Sequence, residues 1–285
     1  VTDPMGEPMM SGNTAIGMRG NSWPVIASEM GTAAMMPGFW SSGPYGFFHS
    51  EKIDADTSAD GQVIFASGGK AVEFGENGWE RSYYDEMYSR HEPASAAFDN
   101  DNNPAILHNT RQGLTLSKRK GLSWISENLN QYSESFALDY DSLNQANIAF
   151  SDGQGLVYGV KGVATGNQWQ FSQPVSVIQT YGFMDMALTG NDVPYIFYES
   201  RQLLKYSFFD RQAASWTTGV IDKLAYEENF CMTTDNAGGI GIAYIAEGEP
   251  GYELTFASID KKGNFLGIDK LDVEGIDPYR GVGLA

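Results

Sequence analysis

Four of the chain's eight arginines, Arg90, Arg111, Arg201 and Arg280, stand in polar, turn-like stretches far apart in sequence, joined by no lysine but Lys223. A guanidinium fork meets a carboxylate or sulfate through two parallel hydrogen bonds, so such a set suits one local anion site. The competing reading pairs each arginine with a nearby acid: Glu92, Asp152, Glu199, Glu228 or Asp277. The histidines show a similar placement. His49 and His91 lie in connections, and His108 opens the stretch His108-Asn-Thr-Arg111. Three imidazoles from three loops are the means to hold a metal or supply a base, although no ligand-spacing motif accompanies them. Tyr84, Tyr88, Tyr181, Tyr226 and Tyr279 suit sugar stacking or simple packing.

Aspartates gather in Asp54-Ala-Asp56, Asp60-Gly61, Asp99-Asn-Asp101 and Asp139-Tyr-Asp141. Asp54, Asp56 and Asp60 are the metal candidates, and calcium is the one cofactor that such oxygens suit. None of these stretches fits the twelve-residue calcium loop, whereas Asp and Asn routinely close turns through their own backbone, so no resident cofactor is expected.

Composition narrows the partners. Thirty-six acids against eighteen bases give a formal charge of −18 over 285 residues, which disfavours nucleic acid and anionic lipid. A single cysteine, Cys231, excludes an intrachain disulfide framework and a thiolate zinc cluster. No apolar run reaches the eighteen or so residues of a membrane helix. The sequence starts at Val1 rather than Met, which suggests a processed segment or a piece of a longer chain, and an extracellular or periplasmic location is expected.

The elements that must position these residues come from a repeat. Short apolar runs, separated by Asp, Asn and Gly, recur in fours and end on an aromatic residue. One copy reads Ser135–Asp141, Ala146–Asp152, Gly155–Lys161, Gln168–Phe171; the next reads Met184–Thr189, Pro194–Glu199, Leu203–Phe209, Ser215–Val220. The closing aromatics, Trp23, Trp79, Trp124, Trp169, Trp216 and Phe265, are 56, 45, 45, 47 and 49 residues apart. This period predicts a six-bladed β-propeller in a single all-β domain, with four antiparallel strands per blade. The expected blades are 1–28 plus 280–285, 50–84, 94–129, 135–176, 184–222 and 229–272. Residues 280–285 are expected to pair into the N-terminal blade and close the ring. Residues 29–49, rich in Met and aromatics, read as an insertion serving as plug or lid. In such a fold the second-to-third and fourth-to-first connections share one face, on which Arg90, His91, His108, Arg111, Arg201, Tyr279 and Arg280 would gather.

At Ser117-Lys-Arg-Lys-Gly121-Leu-Ser-Trp124 the third-to-fourth hairpin resembles the Asp-box of sialidase-like propellers, with Arg119 at the place of the central Asp. Pro194–Trp216 is similar to a looser repeat of secreted bacterial propellers. The sialidase resemblance implies three arginines on a substrate carboxylate, for which Arg111, Arg201 and Arg280 stand available. That family's Arg-Ile-Pro motif is absent, and no nucleophile matches. A polysaccharide lyase would draw on His108, Arg111 and Tyr181, and Glu199 is a further catalytic candidate. With no catalytic motif, the leading expectation is a binding module for a glycan or protein partner. A glycosidase or lyase acting on an anionic polysaccharide, and a structural domain of a larger secreted protein, are the alternatives.

Overall fold

The computed structural model describes residues 14–19, 23–28, 32–36, 39–43, 53–67, 69–75, 78–84, 93–176, 183–225, 230–235, 237–248 and 251–271. The fold is an all-β β-propeller, and the chain divides into two compact units, Val1–Tyr132 and Ser133–Leu284. In the first unit, β1 (Thr14–Arg19), β2 (Trp23–Ser28), β3 (Thr32–Met36) and β4 (Phe39–Gly43) make one antiparallel sheet in chain order. Next come β5 (Asp54–Thr57), β6 (Val63–Ser67), β7 (Lys70–Gly75) and β8 (Gly78–Tyr83). The unit ends with β9 (Ala94–Phe98), β10 (Pro104–Thr110), β11 (Gly113–Lys120) and β12 (Ser123–Asn128).

The second unit repeats the plan. Its sheets are β13 (Phe136–Tyr140), β14 (Ala146–Ser151), β15 (Leu156–Lys161) and β16 (Gln170–Val175); β17 (Met184–Leu188), β18 (Pro194–Ser200), β19 (Leu203–Asp210) and β20 (Ser215–Lys223); and β21 (Phe230–Thr234), β22 (Ile240–Gly248), β23 (Gly251–Ile259) and β24 (Phe265–Leu271).

Burial falls from the first two strands of a blade to its fourth. Every residue of β6, β9 and β18 is buried, whereas β16 and β24 are mostly exposed and β12 has no buried residue. Strands covered on both faces need apolar residues at every position rather than at alternate ones. The cover comes from the adjacent blade. Ile64, Ala66 and Ala71 pack with Ala94, Ala96, Phe98 and Ile106. Ala137, Ala149 and Leu156 pack with Met184, Met186, Ile196 and Tyr198 in the same way. The cores therefore lie between blades, and a blade alone would leave its inner strands wet. The recurrent aromatic is part of this contact. Trp124 on β12 donates from Nε1 to Ser82 Oγ on β8 at 3.2 Å, and Trp216 on β20 packs edge-on against Tyr158 of β15 at 5.0 Å.

Two expectations are corrected. The repeat builds five blades of four strands, β5–β24, not six, and the sheet ahead of them does not follow the expected pattern. Trp23 does not close a fourth strand; it opens β2, an interior strand of its sheet, opposite Arg19. Two strands, β3 and β4, arise from within the segment expected to be an insertion. The four described strands of that sheet all come from residues 14–43. Residues 280–285 themselves lie outside the described residues. The physical reason is that a Trp followed by buried β-branched residues, as in Trp23-Pro-Val25, fits an inner strand as well as an outer one; Val25 is fully buried against Ile53 and Val63.

Candidate ligand-binding groove

The residues expected to do chemistry fall into three groups. His108 lies on β10 and is buried. Its Nδ1 is 3.2 Å from the carbonyl of Asn109, which can only accept, so in the neutral ring Nε2 accepts from Ser117 Oγ at 2.9 Å. Ser117 is in turn 2.8 Å from Ser126 Oγ, and the imidazole meets Tyr84 edge-on at 4.7 Å. This is a buried core histidine with both ring nitrogens hydrogen-bonded. Glu199 on β18 is equally buried, and its Oε1 accepts the Gln202 N–H at 2.5 Å across the β18–β19 turn.

Arg111 and Arg201 are exposed, each in the turn between its blade's second and third strands. Arg201 adopts a left-handed φ of 58° there. His108 and Arg111 share a hairpin but not a surface, the first facing the core and the second facing solvent. His49, Arg90, His91, Tyr181, Tyr279 and Arg280 lie outside the described residues.

The aspartates have structural partners. Asp54 Oδ2 accepts the N–H of Ala96 at 2.8 Å, and Asp56 Oδ2 that of Phe98 at 2.7 Å, so the first strand of one blade is fastened to the first strand of the next. Asp139 repeats the device on Leu188 at 2.9 Å. Asp99 and Asp141 cap first-to-second-strand turns: Oδ1 of each takes two backbone N–H groups, those of Asp101 and Asn103 and of Leu143 and Gln145. Oxygens that face N–H donors are poorly placed to receive a cation. Among the described residues, no group of three or more His, Cys, Asp or Glu is arranged to hold a metal ion.

The first unit presents a cavity that the sequence reading does not anticipate. A groove of about 530 Å³ opens between the blades β5–β8 and β9–β12. Its rim is the turn after β5 (Asp60, Gly61, Gln62), the turn after β9 (Asn102, Asn103, Pro104) and the glycines Gly75, Gly78 and Gly121 of two outer hairpins. These are first-to-second and third-to-fourth turns, so the groove opens on the face opposite to the one expected to carry ligands. Arg119 stands in its wall. The guanidinium bonds Glu73 Oε1 through Nη1, lies 3.8 Å from Glu80 Oε2 through Nη2, and donates from Nε to Gly121 O at 3.1 Å. Glu73 and Glu80 are register partners on β7 and β8, so the guanidinium bridges from one blade to two carboxylates of its neighbour.

Burial pushes the Glu73 carboxyl above its ordinary range, and Arg119 opposes that effect. Asp60, at the open end, is held below the usual carboxylate range chiefly by the hydrogen bond from Ser58. The usable signal in the sequence was Arg119 at the Asp position of the hairpin motif, with two glutamates seven residues apart in the preceding copy.

No family model matches the sequence, and no curated protein matches it either. Solved structures do resemble it in fold. A protein of unknown function from Bacteroides caccae has a TM-score of 0.54 at 9% identity, over 92% of this chain and 94% of that one. Virginiamycin B lyase from Staphylococcus aureus has a TM-score of 0.60 at 12% identity, over 93% and 85%. The extracellular domain of a protein described as a one-component system from B. thetaiotaomicron has a TM-score of 0.58 at 9% identity, over 92% of this chain and 37% of that one. At such identities the likeness is one of fold, a β-propeller, and no sialidase family is indicated.

Proposed function

We propose that this propeller is a noncatalytic, extracytoplasmic binding module that takes a glycan in the groove between β5–β8 and β9–β12. The observation that carries the reading is the groove itself. Its size falls within the roughly 300–1,000 Å³ of small-molecule sites, and its wall alternates carboxylates, amides and a guanidinium with glycines that bring backbone within reach. Hydroxyl groups both donate and accept, so a wall with both kinds of partner suits a polyol better than an apolar or purely anionic ligand. Two of the residues considered for catalysis, His108 and Glu199, are buried and hydrogen-bonded, which favours binding over turnover. An extracellular location accords with the fold shared with an extracellular domain and with the acidic charge.

Affinity electrophoresis against soluble polysaccharides tests this. Retardation by at least one glycan is expected, with loss of most of it in Glu80→Ala, a variant of a half-exposed side chain. Release of reducing ends or unsaturated products would support the enzymatic alternative instead. Retardation unchanged by Glu80→Ala would place the ligand elsewhere.

A further inference from the structure

Among the described residues the groove's charges are unequal: three carboxylates, Asp60, Glu73 and Glu80, stand against one guanidinium, Arg119. That guanidinium is already committed. Three of its nitrogens face Glu73, Glu80 and the Gly121 carbonyl, and its side chain is only 17% exposed, so its fork is turned into the wall rather than toward a ligand. An incoming carboxylate or sulfate would find no free bidentate partner and two further acids at the mouth. Glu80 keeps 55% of its side-chain surface and holds its cation only at 3.8 Å, and Asp60 is exposed, its oxygens accepting from the neutral donors Ser58 Oγ and Gln62 Nε2.

We propose that the groove selects a saccharide bearing free amino groups, its ammonium groups attracted to the lining carboxylates Asp60 and Glu80 and its hydroxyls on Gln62, Asn102 and Asn103. The proposal rests on the glycan-binding reading above and names the chemistry of its ligand. An ammonium group carries three donors and no acceptor, which matches a pair of carboxylates flanked by amide oxygens. The acidity of the whole chain draws such a cation inward and repels uronates.

The probes are six-sugar β-1,4-glucosamine oligomers, one fully deacetylated and one fully N-acetylated, titrated calorimetrically into the whole chain at a pH where the amine is protonated. The deacetylated oligomer should bind roughly tenfold more tightly, a ratio that two partly exposed ion pairs supply. Asp60→Asn/Glu80→Gln should abolish that preference, and Glu134→Gln/Asp269→Asn, which makes the same charge change at exposed sites elsewhere, should leave it intact. Equal affinity for the two oligomers would overturn the amine proposal while leaving glycan binding standing. Equal loss in the two double variants would also overturn it, showing diffuse attraction to an acidic surface. Failure of every glycan to bind in a Glu80-dependent way would remove the binding reading as well.

Discussion

Asp56 Oδ2, on the innermost strand of one blade, accepts the backbone N–H of Phe98 on the innermost strand of the next at 2.7 Å, two residues along from the matching bond between Asp54 and Ala96. The two strands are not paired as a sheet. Side-chain oxygens thus satisfy donors that would otherwise be orphaned between blades, where water is largely excluded.

The position of Asp56 makes its contribution depend on pH. Its side chain keeps some surface, yet protein packs around the carboxylate closely enough that burial dominates and raises its pKa to about 6, with the Phe98 and Thr57 N–H groups opposing the shift. The unfolded value is 3.8, so the native state holds the proton more tightly; this group costs nothing below about pH 4 and destabilises progressively as pH rises through 6. Asp56→Asn keeps an acceptor for Phe98 and removes the charge. Urea unfolding should show the variant gaining on wild type by on the order of 2 kcal/mol between pH 4 and pH 7. A constant difference across that range would contradict the assignment.

Arg119 ties two blades together through Glu73, and both side chains are largely buried. Arg119→Met should therefore leave a half-stranded carboxylate and cost on the order of 2 kcal/mol. Adding Glu73→Gln should restore at least half of the loss, giving a coupling of about 1 kcal/mol in a double-mutant cycle. Strictly additive losses would mean that the pair is decorative.

In the second unit the turns after β17 and β21 touch through glycines. Gly190 donates to Gly238 O at 2.8 Å, and a Cβ on Gly238 would sit 2.4 Å from Gly190 Cα at a φ of +80°. Gly121 has a φ of +63° but open space around it. Gly121→Ala should cost about 1 kcal/mol from backbone strain, whereas Gly238→Ala adds a backbone clash and should cost roughly 2 kcal/mol or more. Thermal midpoints of the two variants provide the comparison, and equal shifts would refute the close approach.

The blades β5–β24 were legible because each copy carries its whole pattern locally: Pro194–Glu199 was expected and Pro194–Ser200 observed, and the aromatic period follows from the contact that Trp124 and Trp216 make with the preceding blade. The N-terminal sheet was not legible, since Ala33, Met35 and Phe39 carry neither the turn residues nor the alternation of the other copies, and Trp23 imitates a marker. The groove was hidden for a different reason. Arg119 acquires its meaning from Glu73 and Glu80, which sit across a blade boundary some forty residues earlier in the chain, and topology alone directed attention to the opposite face. The recurrence of the first-strand aspartates is visible in the sequence and points to turn chemistry. Asp99 and Asp141 do serve there, but Asp54, Asp56 and Asp139 reach a neighbouring strand that no local window contains.

Those reaching carboxylates act on main-chain amides, which every residue but proline possesses. A blade equipped with its own aspartate makes this bond whatever side chains its successor carries. Duplication or loss of a whole copy would preserve the coupler without compensating substitutions, so the chemistry of the junction does not depend on the number of copies.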